Sequence, residues 1–329
     1  MGSPLRLTTA AGSCADAAWT AVLAEFAASD AALSRFREDA ELVALDRAAG
    51  TGRSVAVSRR LERAVVAADR AWRLTDGRFD PRVLADLERL GDRGVPLATT
   101  AGGAEDSDGA EANAAAPDPA EAISRRDGRG RIRIERPLDL GGIGKGLALR
   151  WAAARVERAG VHEFLLDAGG DLVVRGHAPE GGPWQVGIED PAGAPDPLAV
   201  IEPPDGAVAT SSIRRRRWQR DGQTVHHLIE PRTGESAWTG LAAVTVAGPD
   251  PAWAEVWSKA LFLAGRSDVA SEARRRGLAA WWVTDDGVLE MTPAARQRTT
   301  WVAAEAGVVS RARPPARRPW ASLRAPPRA

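Results

Sequence analysis

Several residue types are scarce in this chain, and each scarcity narrows the reading. Of 329 residues one is cysteine, Cys14, so no internal disulfide can brace the fold. None is tyrosine, and of the 44 basic side chains only two are lysines, Lys145 and Lys259. Where nearly every cation is arginine, a lysine has a positional reason of its own, because arginine serves equally well as a solvated surface charge. Also missing is any apolar run of about 18 residues, the length a bilayer-spanning helix needs. The opening Met1-Gly-Ser-Pro-Leu-Arg-Leu lacks the charged leader and apolar stretch of a secretory signal, from which cytoplasmic residence is expected.

What is present has the balance of a globular protein: 44% hydrophobic and 27% charged residues are enough to build a sizeable core under a charged surface. The length accommodates one large domain or two ordinary ones. The 44 acids and 44 bases cancel, but unevenly. From Ala98 to Ser124 there are six acids and no base, and from Arg311 to Ala329 six arginines, five prolines and no acid. The acidic stretch has too little apolar surface to offset the entropy of ordering it, and is read as a disordered insertion. The tail is likewise expected to be disordered, its arginines forming a solvated charge rather than a surface for nucleic acid or anionic lipid. The expected domain is therefore 1–310, carrying an insertion at about 98–124, with a tail at 311–329. Removing both segments subtracts six charges of each sign, so the body has no basic surplus of the kind a nucleic-acid-binding domain shows.

Ala15 to Ala49 and Ser58 to Leu74 are Ala/Leu-rich with charges spaced between apolar residues, which predicts helices. Ser58 offers an N-cap, and Leu61, Val65, Val66, Ala68 and Trp72 a stripe at helical spacing. Thr75-Asp-Gly77 and Phe79-Asp-Pro81 end the second helix, and a short one to Leu90 follows. Arg131-Ile-Arg-Ile-Glu alternates like a half-buried strand. A helix from Lys145 to Ala159 closes on Gly160. Strands are predicted at 163–166, 172–175, 184–188, 207–209, 225–229 and 243–246, then helices at about 251–263 and 267–275, and a hairpin of 278–283 with 287–291. Mixed helices and antiparallel-looking connections give the α+β class rather than a doubly wound sheet.

Three segments carry candidate chemistry. Asp139-Leu-Gly-Gly-Ile-Gly-Lys-Gly146 lies between a strand and a helix, where backbone N–H groups, a helix N-terminus and Lys145 suit a phosphate. It is not a Walker A loop, since Gly146 follows Lys145, and its glycines would also suit a tight strand–helix junction. Asp167-Ala-Gly-Gly-Asp171 reads as a β-turn with glycine at positive φ. His226-His-Leu-Ile-Glu-Pro-Arg-Thr-Gly234 puts two histidines at a strand end. Alternation lets only one face a site, which disfavours metal binding by the pair; that one is either a general base or an inert histidine.

In their order along the chain these segments resemble the ApbE family, flavin transferases that move FMN from FAD onto a Ser or Thr of a target protein. The resemblance is carried by Met1-Gly-Ser, Phe36-Arg-Glu-Asp with Glu41-Leu, Gly77-Arg-Phe-Asp-Pro81, the glycine run Asp139 to Gly146, Gly169-Gly-Asp171, Trp184 to Pro191, Ala209-Thr-Ser211, His227 to Gly234, and Ala254 to Leu261. It implies a T-fold-like arrangement of mixed sheets and packed helices. It also implies FAD as substrate, an acceptor flavoprotein as partner, and AMP as product. The pyrophosphate would lie near the glycine run, with Asp139 and Lys145 contacting the cofactor and the carbonyl of Gly142 facing a magnesium ion. Met1, Phe36, Phe79, Asp80 and Leu228 fall in flavin-contact segments, and His227 would deprotonate the acceptor hydroxyl.

The chain also departs from that pattern. The family's metal helix presents Asp and, four residues on, Thr, where this sequence has Glu255 and Lys259. Glutamate can ligate magnesium, but an ammonium cannot. Lys259 is therefore read as supplying the charge that magnesium would bring, with Glu255 orienting it; the competing reading is an exposed Glu–Lys helix pair. Glu230 stands in place of Asp, Asp46 near a usual Asn, Ser212 for Gly, and any stacking tyrosine is replaced by Phe36 or a Trp, or lost. An FAD pyrophosphatase and a non-catalytic FAD-binding protein are the alternatives on the same fold. Deleting residues after Ser310 should leave FAD affinity unchanged, which a flavin-fluorescence titration of the truncated chain would check.

Overall fold

The computed structural model describes residues 4–10, 12, 14–94, 122–214, 216–303 and 308–309. Most of the acidic segment expected to be disordered, and the whole Arg/Pro tail, lie outside the described residues. The end of that acidic segment does not: Ile123 is buried, so the folded chain resumes before Ser124. Chain contacts divide the protein into two compact units, one of 1–29, 141–228 and 237–329, the other of 30–140 and 229–236.

The first unit is built on an eight-stranded sheet whose spatial order follows the chain: Leu5–Thr9, Phe164–Ala168, Asp171–Arg175, Gly206–Ser212, Leu241–Gly248, Ala279–Thr284, Leu289–Met291 and Val308–Val309. Every neighbouring pair is antiparallel except the last. The period-two alternation of a strand sends Val173, Ala207, Ala209, Val244, Val246, Ala280 and Trp282 to one face, where they pack on residues of the helices Gly144–Arg158 and Pro251–Arg275. Leu172, Val208, Ala247, Ala279, Trp281 and Val283 face the other way, onto a three-stranded sheet of Val186–Ile188, Ala199–Ile201 and Thr299–Val302. With both faces covered, Ala279–Thr284 is buried at every position, so its sequence reads as a continuous apolar run.

Two tight turns follow from glycine. Gly169 and Gly170, both at positive φ, close the two-residue connection between Phe164–Ala168 and Asp171–Arg175. Asp221 and Gly222 do the same for the separate hairpin Arg217–Arg220 with Gln223–His226, so the strand expected at 225–229 lies earlier and stops at His226. The predicted pair of helices at 251–263 and 267–275 is one element broken at Gly265, whose φ of 78° and ψ of 172° suit glycine alone. Asp250 caps it by accepting the N–H of Trp253 at 3.1 Å, with Pro251 in the first turn.

The second unit contains the helices Glu41–Asp46, Arg59–Leu74 and Leu84–Arg89 and a small sheet of Val55–Ala56, Arg131–Arg133 and Arg125–Arg126. Ser58 caps the Arg59–Leu74 helix as its sequence predicts. The single helix expected over Ala15–Ala49 is instead two, Ala15–Leu33 and Glu41–Asp46. Ser34 ends the first: its hydroxyl accepts the N–H of Phe36 at 3.2 Å, a local bond that competes with the helical ladder.

Gly265→Ala should destabilise the protein by about 1–3 kcal/mol, because no L side chain adopts this conformation without strain. Calorimetry should show Tm several degrees lower with the far-UV spectrum retained.

Candidate active site

The glycine-run helix starts without a cap of its own. Ile143 occupies the N-cap position and supplies no side-chain acceptor. Glu255 of the Pro251–Arg275 helix supplies it instead: its Oε2 accepts the N–H of Gly146 at 2.8 Å. A carboxylate there satisfies an orphan donor and meets the positive end of the helix dipole. The approach is possible because residue 146 has no side chain. A Cβ on Gly146 would lie 2.5 Å from the carbonyl oxygen of Pro251 and 2.6 Å from the Cα of Ala252. Gly146 is thus a close-packing glycine, and the Gly142 backbone just before it is buried.

Lys145 projects from the same turn onto Asp171, with Nζ 2.6 Å from Oδ2. Asp171 is the first residue after the Gly169-Gly170 turn, and its other oxygen accepts the N–H of Thr210 at 3.1 Å. Burial alone would lower the pKa of Lys145, but the charges of Asp171 and Glu255 outweigh it and raise the pKa above its ordinary value, against the opposing charge of Arg216. Lys145 is therefore a firmly held cation at neutral pH. Glu255 is pushed up, first by burial; Lys145 opposes that, Asp171 adds to it, and the Gly146 N–H and Lys259 oppose it further. Glu255 is 6% exposed and caps Gly146, so it is not the solvent-exposed partner of Lys259 considered from sequence.

Behind these charges runs a hydroxyl network. The Ser258 Oγ donates to the Glu255 carbonyl at 2.9 Å and lies 2.9 Å from Ser211 Oγ, while Thr210 and Thr245 pair their hydroxyls at 2.9 Å. The network ties the Pro251–Arg275 helix to the centre of the sheet.

The two histidines separate as strand parity predicts. His226 is fully buried, edge-on to Trp238 at 4.7 Å between ring centroids, and burial lowers its pKa to about 4. It is a core residue. His227 is half-buried, with its backbone N–H donated to the Arg216 carbonyl at 3.2 Å. Burial first, then the charges of Arg216 and Lys259, hold its imidazole well below the usual histidine range. It is neutral at physiological pH, as a base must be. Leu228, next along, is buried in the core with Val244, Leu261 and Phe262.

Phe36, Phe79, Asp80 and Asp139 belong to the other unit. Asp139 pairs with the buried Arg35 at 3.5 Å, and that guanidinium lies 4.2 Å from the exposed ring of Phe36. Asp80 accepts the N–H of Arg82 at 2.9 Å and pairs with its guanidinium at 2.7 Å. Phe79 is buried, its N–H donated to Thr75. Asp46 accepts the Leu138 N–H at 2.9 Å, and burial pushes its carboxyl well above the usual carboxylate range. Met1 lies outside the described residues.

The ApbE family model matches residues 1–282. This chain belongs to the ApbE family. Among its relatives, the FAD:protein FMN transferase of Klebsiella pneumoniae (strain 342) is 29% identical over 285 residues, covering 83% of this chain and 78% of that protein. The FAD:protein FMN transferase of Escherichia coli (strain K12) is 32% identical over 151 residues, 46% of this chain and 43% of the relative. Among solved structures, the Pseudomonas stutzeri flavinyl transferase ApbE in its apo form superposes with a TM-score of 0.73 at 27% identity, covering 92% and 95% of the two chains. The ApbE protein of Thermotoga maritima shares the fold, with a TM-score of 0.77 at 24% identity over 91% and 97%.

For an ApbE chain the family resemblance implies magnesium, and the residues present here fit it poorly. Both Asp171 oxygens and one oxygen of Glu255 are already engaged, and the charges of Lys145 and Lys259 both act on Glu255. Sequence reasoning missed Asp171 as the partner of Lys145, and Arg216 as a charge beside His227. The run Ile213-Arg-Arg-Arg-Arg-Trp218 was the available signal for Arg216.

Glu255→Ala should cost about 1–3 kcal/mol by orphaning the Gly146 N–H, and Glu255→Gln, which keeps an acceptor, less. Urea unfolding of the two variants would measure the difference.

Proposed function

We propose that this protein transfers FMN from FAD to a serine or threonine hydroxyl of an acceptor flavoprotein, releasing AMP. The observation that carries the reading is the Lys145–Asp171 pair, 2.6 Å apart in the first turn of the Gly144–Arg158 helix, together with a half-buried His227 whose Nδ1 lies 3.3 Å from the Arg216 carbonyl. In the reaction the acceptor oxygen forms a bond to the FMN-side phosphorus of the pyrophosphate. The bridging P–O bond breaks, AMP leaves with the electron pair, and the hydroxyl proton passes to His227. Such a displacement asks little covalent chemistry of the protein. It needs the nucleophile aligned, the proton accepted, and the charge on the leaving oxygen met by fixed cations.

Lys145 suits the last task because Asp171 holds it in place, and the N-terminus of the Gly144–Arg158 helix adds about half a positive charge in the same turn. Asp139, Phe36, Phe79 and Asp80 are carried into the proposal as flavin-side residues by the family resemblance. Leu228 can contribute to a flavin pocket only through the backbone or the shape of the wall, because its side chain is in the core.

Purified protein incubated with FAD should release AMP only when an acceptor flavoprotein is present. AMP without acceptor would identify a pyrophosphatase, and a stable yellow complex without AMP a binding protein. His227→Ala should slow transfer by about 10²–10⁴-fold, the range of a lost general base. Because burial, Arg216, Lys259 and the neighbouring His226 all lower the His227 pKa, it stays deprotonated as pH falls below 6.5. The acid limb of kcat/KM should therefore lie below pH 6.5 and move upward, toward 6.5, in Arg216→Gln.

A further inference from the structure

We infer that the transfer step in this protein runs without a bound divalent cation, the ammonium groups of Lys145 and Lys259 meeting the pyrophosphate charge in its place. The inference rests on the FMN-transfer reading for its chemistry but on the donor set for its evidence. Magnesium demands near-octahedral oxygen ligands at short range and holds its waters tightly. Of the four carboxylate oxygens on Asp171 and Glu255, three are taken by the Lys145 ammonium, the Thr210 N–H and the Gly146 N–H. At most one carboxylate oxygen of the set, Oε1 of Glu255, remains for a metal.

Charge argues the same way. Lys145 and Lys259 both act on the Glu255 carboxylate, and Arg216 acts on Lys145 and His227. Two ammonium groups thus already supply positive charge at Glu255, and a dication there would meet their repulsion. Position completes the argument. Lys259 lies four residues after Glu255, one turn along the same helix face, and is one of only two lysines in a chain with 44 basic residues. In the balanced step the P–O bond to the acceptor forms, the bridging P–O bond breaks, AMP takes the electron pair, and His227 takes the proton. The ammonium groups exchange no atoms and no electrons.

The test uses the full chain. Manganese titration followed by electron paramagnetic resonance reads metal binding independently of turnover, and AMP release from FAD with acceptor, with and without EDTA, reads the chemistry. Expected results are no stoichiometric manganese site in the native protein, and AMP release changed less than twofold by EDTA. Lys259→Gln should slow EDTA-insensitive release about 100-fold while Tm stays within a few degrees of native. The double substitution Glu255→Asp with Lys259→Thr should gain a manganese site and become magnesium-dependent. A stoichiometric manganese site in the native protein, release abolished by EDTA and restored by magnesium, or an unchanged rate in Lys259→Gln would each overturn the inference. If no AMP is released under any condition, the transfer reading fails by itself, and the manganese titration still decides the question of the metal.

Discussion

One hydrogen bond organises the catalytic unit: the Glu255 carboxylate accepting the N–H of Gly146 at 2.8 Å. Neither partner is at ease alone. The Gly144–Arg158 helix begins on Ile143, which cannot cap it, and Glu255 is a buried acid whose charged form burial penalises. Joined, the helix gains its cap and the acid gains a donor, two cations and a helix dipole. The bond also fixes where everything else stands. It draws the first turns of two helices together until only glycine fits at 146. It thereby sets Lys145 in the same turn as the donor, with Lys259 one turn further along the partner helix.

The remaining pieces are held by regular structure rather than by loops. Asp171 is delivered to Lys145 by the first residue of a strand, its position set by a two-glycine turn and by the Thr210 N–H of the next strand. The Ser211 to Ser258 contact links that sheet to the Glu255 carbonyl, so strand, helix and cap form one connected network. Groups mounted this way lose little entropy on meeting a substrate, which is the condition for charge stabilisation without reorganisation. His227 stands just past a strand end, where parity sends its neighbour His226 into the core and leaves it half-exposed.

Much of this was legible in the sequence, for physical reasons that also explain what was not. The glycine run announced itself by lying between a strand and a helix, and its close-packing reading holds at Gly146, whose N–H is taken by Glu255. The histidine pair could be split by strand parity alone. Asp171 could not be assigned to Lys145, because a contact across 26 residues is created by the fold and leaves no local periodicity. The Leu5–Thr9 strand escaped notice because it is a short edge strand with no clean alternation of burial. The helix expected over Ala15–Ala49 was too long because composition does not register one hydroxyl, Ser34, that diverts the backbone.

The scarcity of lysine now has a structural sense. Arginine is the better partner where a planar fork can meet a carboxylate, and the chain uses it so at Arg82–Asp80. The Gly146 junction offers no such plane. Backbone atoms of Pro251 and Ala252 crowd the turn, and Asp171 presents one free oxygen, the other being held by Thr210. A compact ammonium on a flexible stem can meet that oxygen at 2.6 Å and still direct its field toward Glu255. A guanidinium would need room for five donors in a fixed fork. The same reasoning applies at 259, where a point charge must share the environment of a buried carboxylate and of His227 without displacing either. In a protein that otherwise uses arginine, lysine is kept for the two places where charge has to be small.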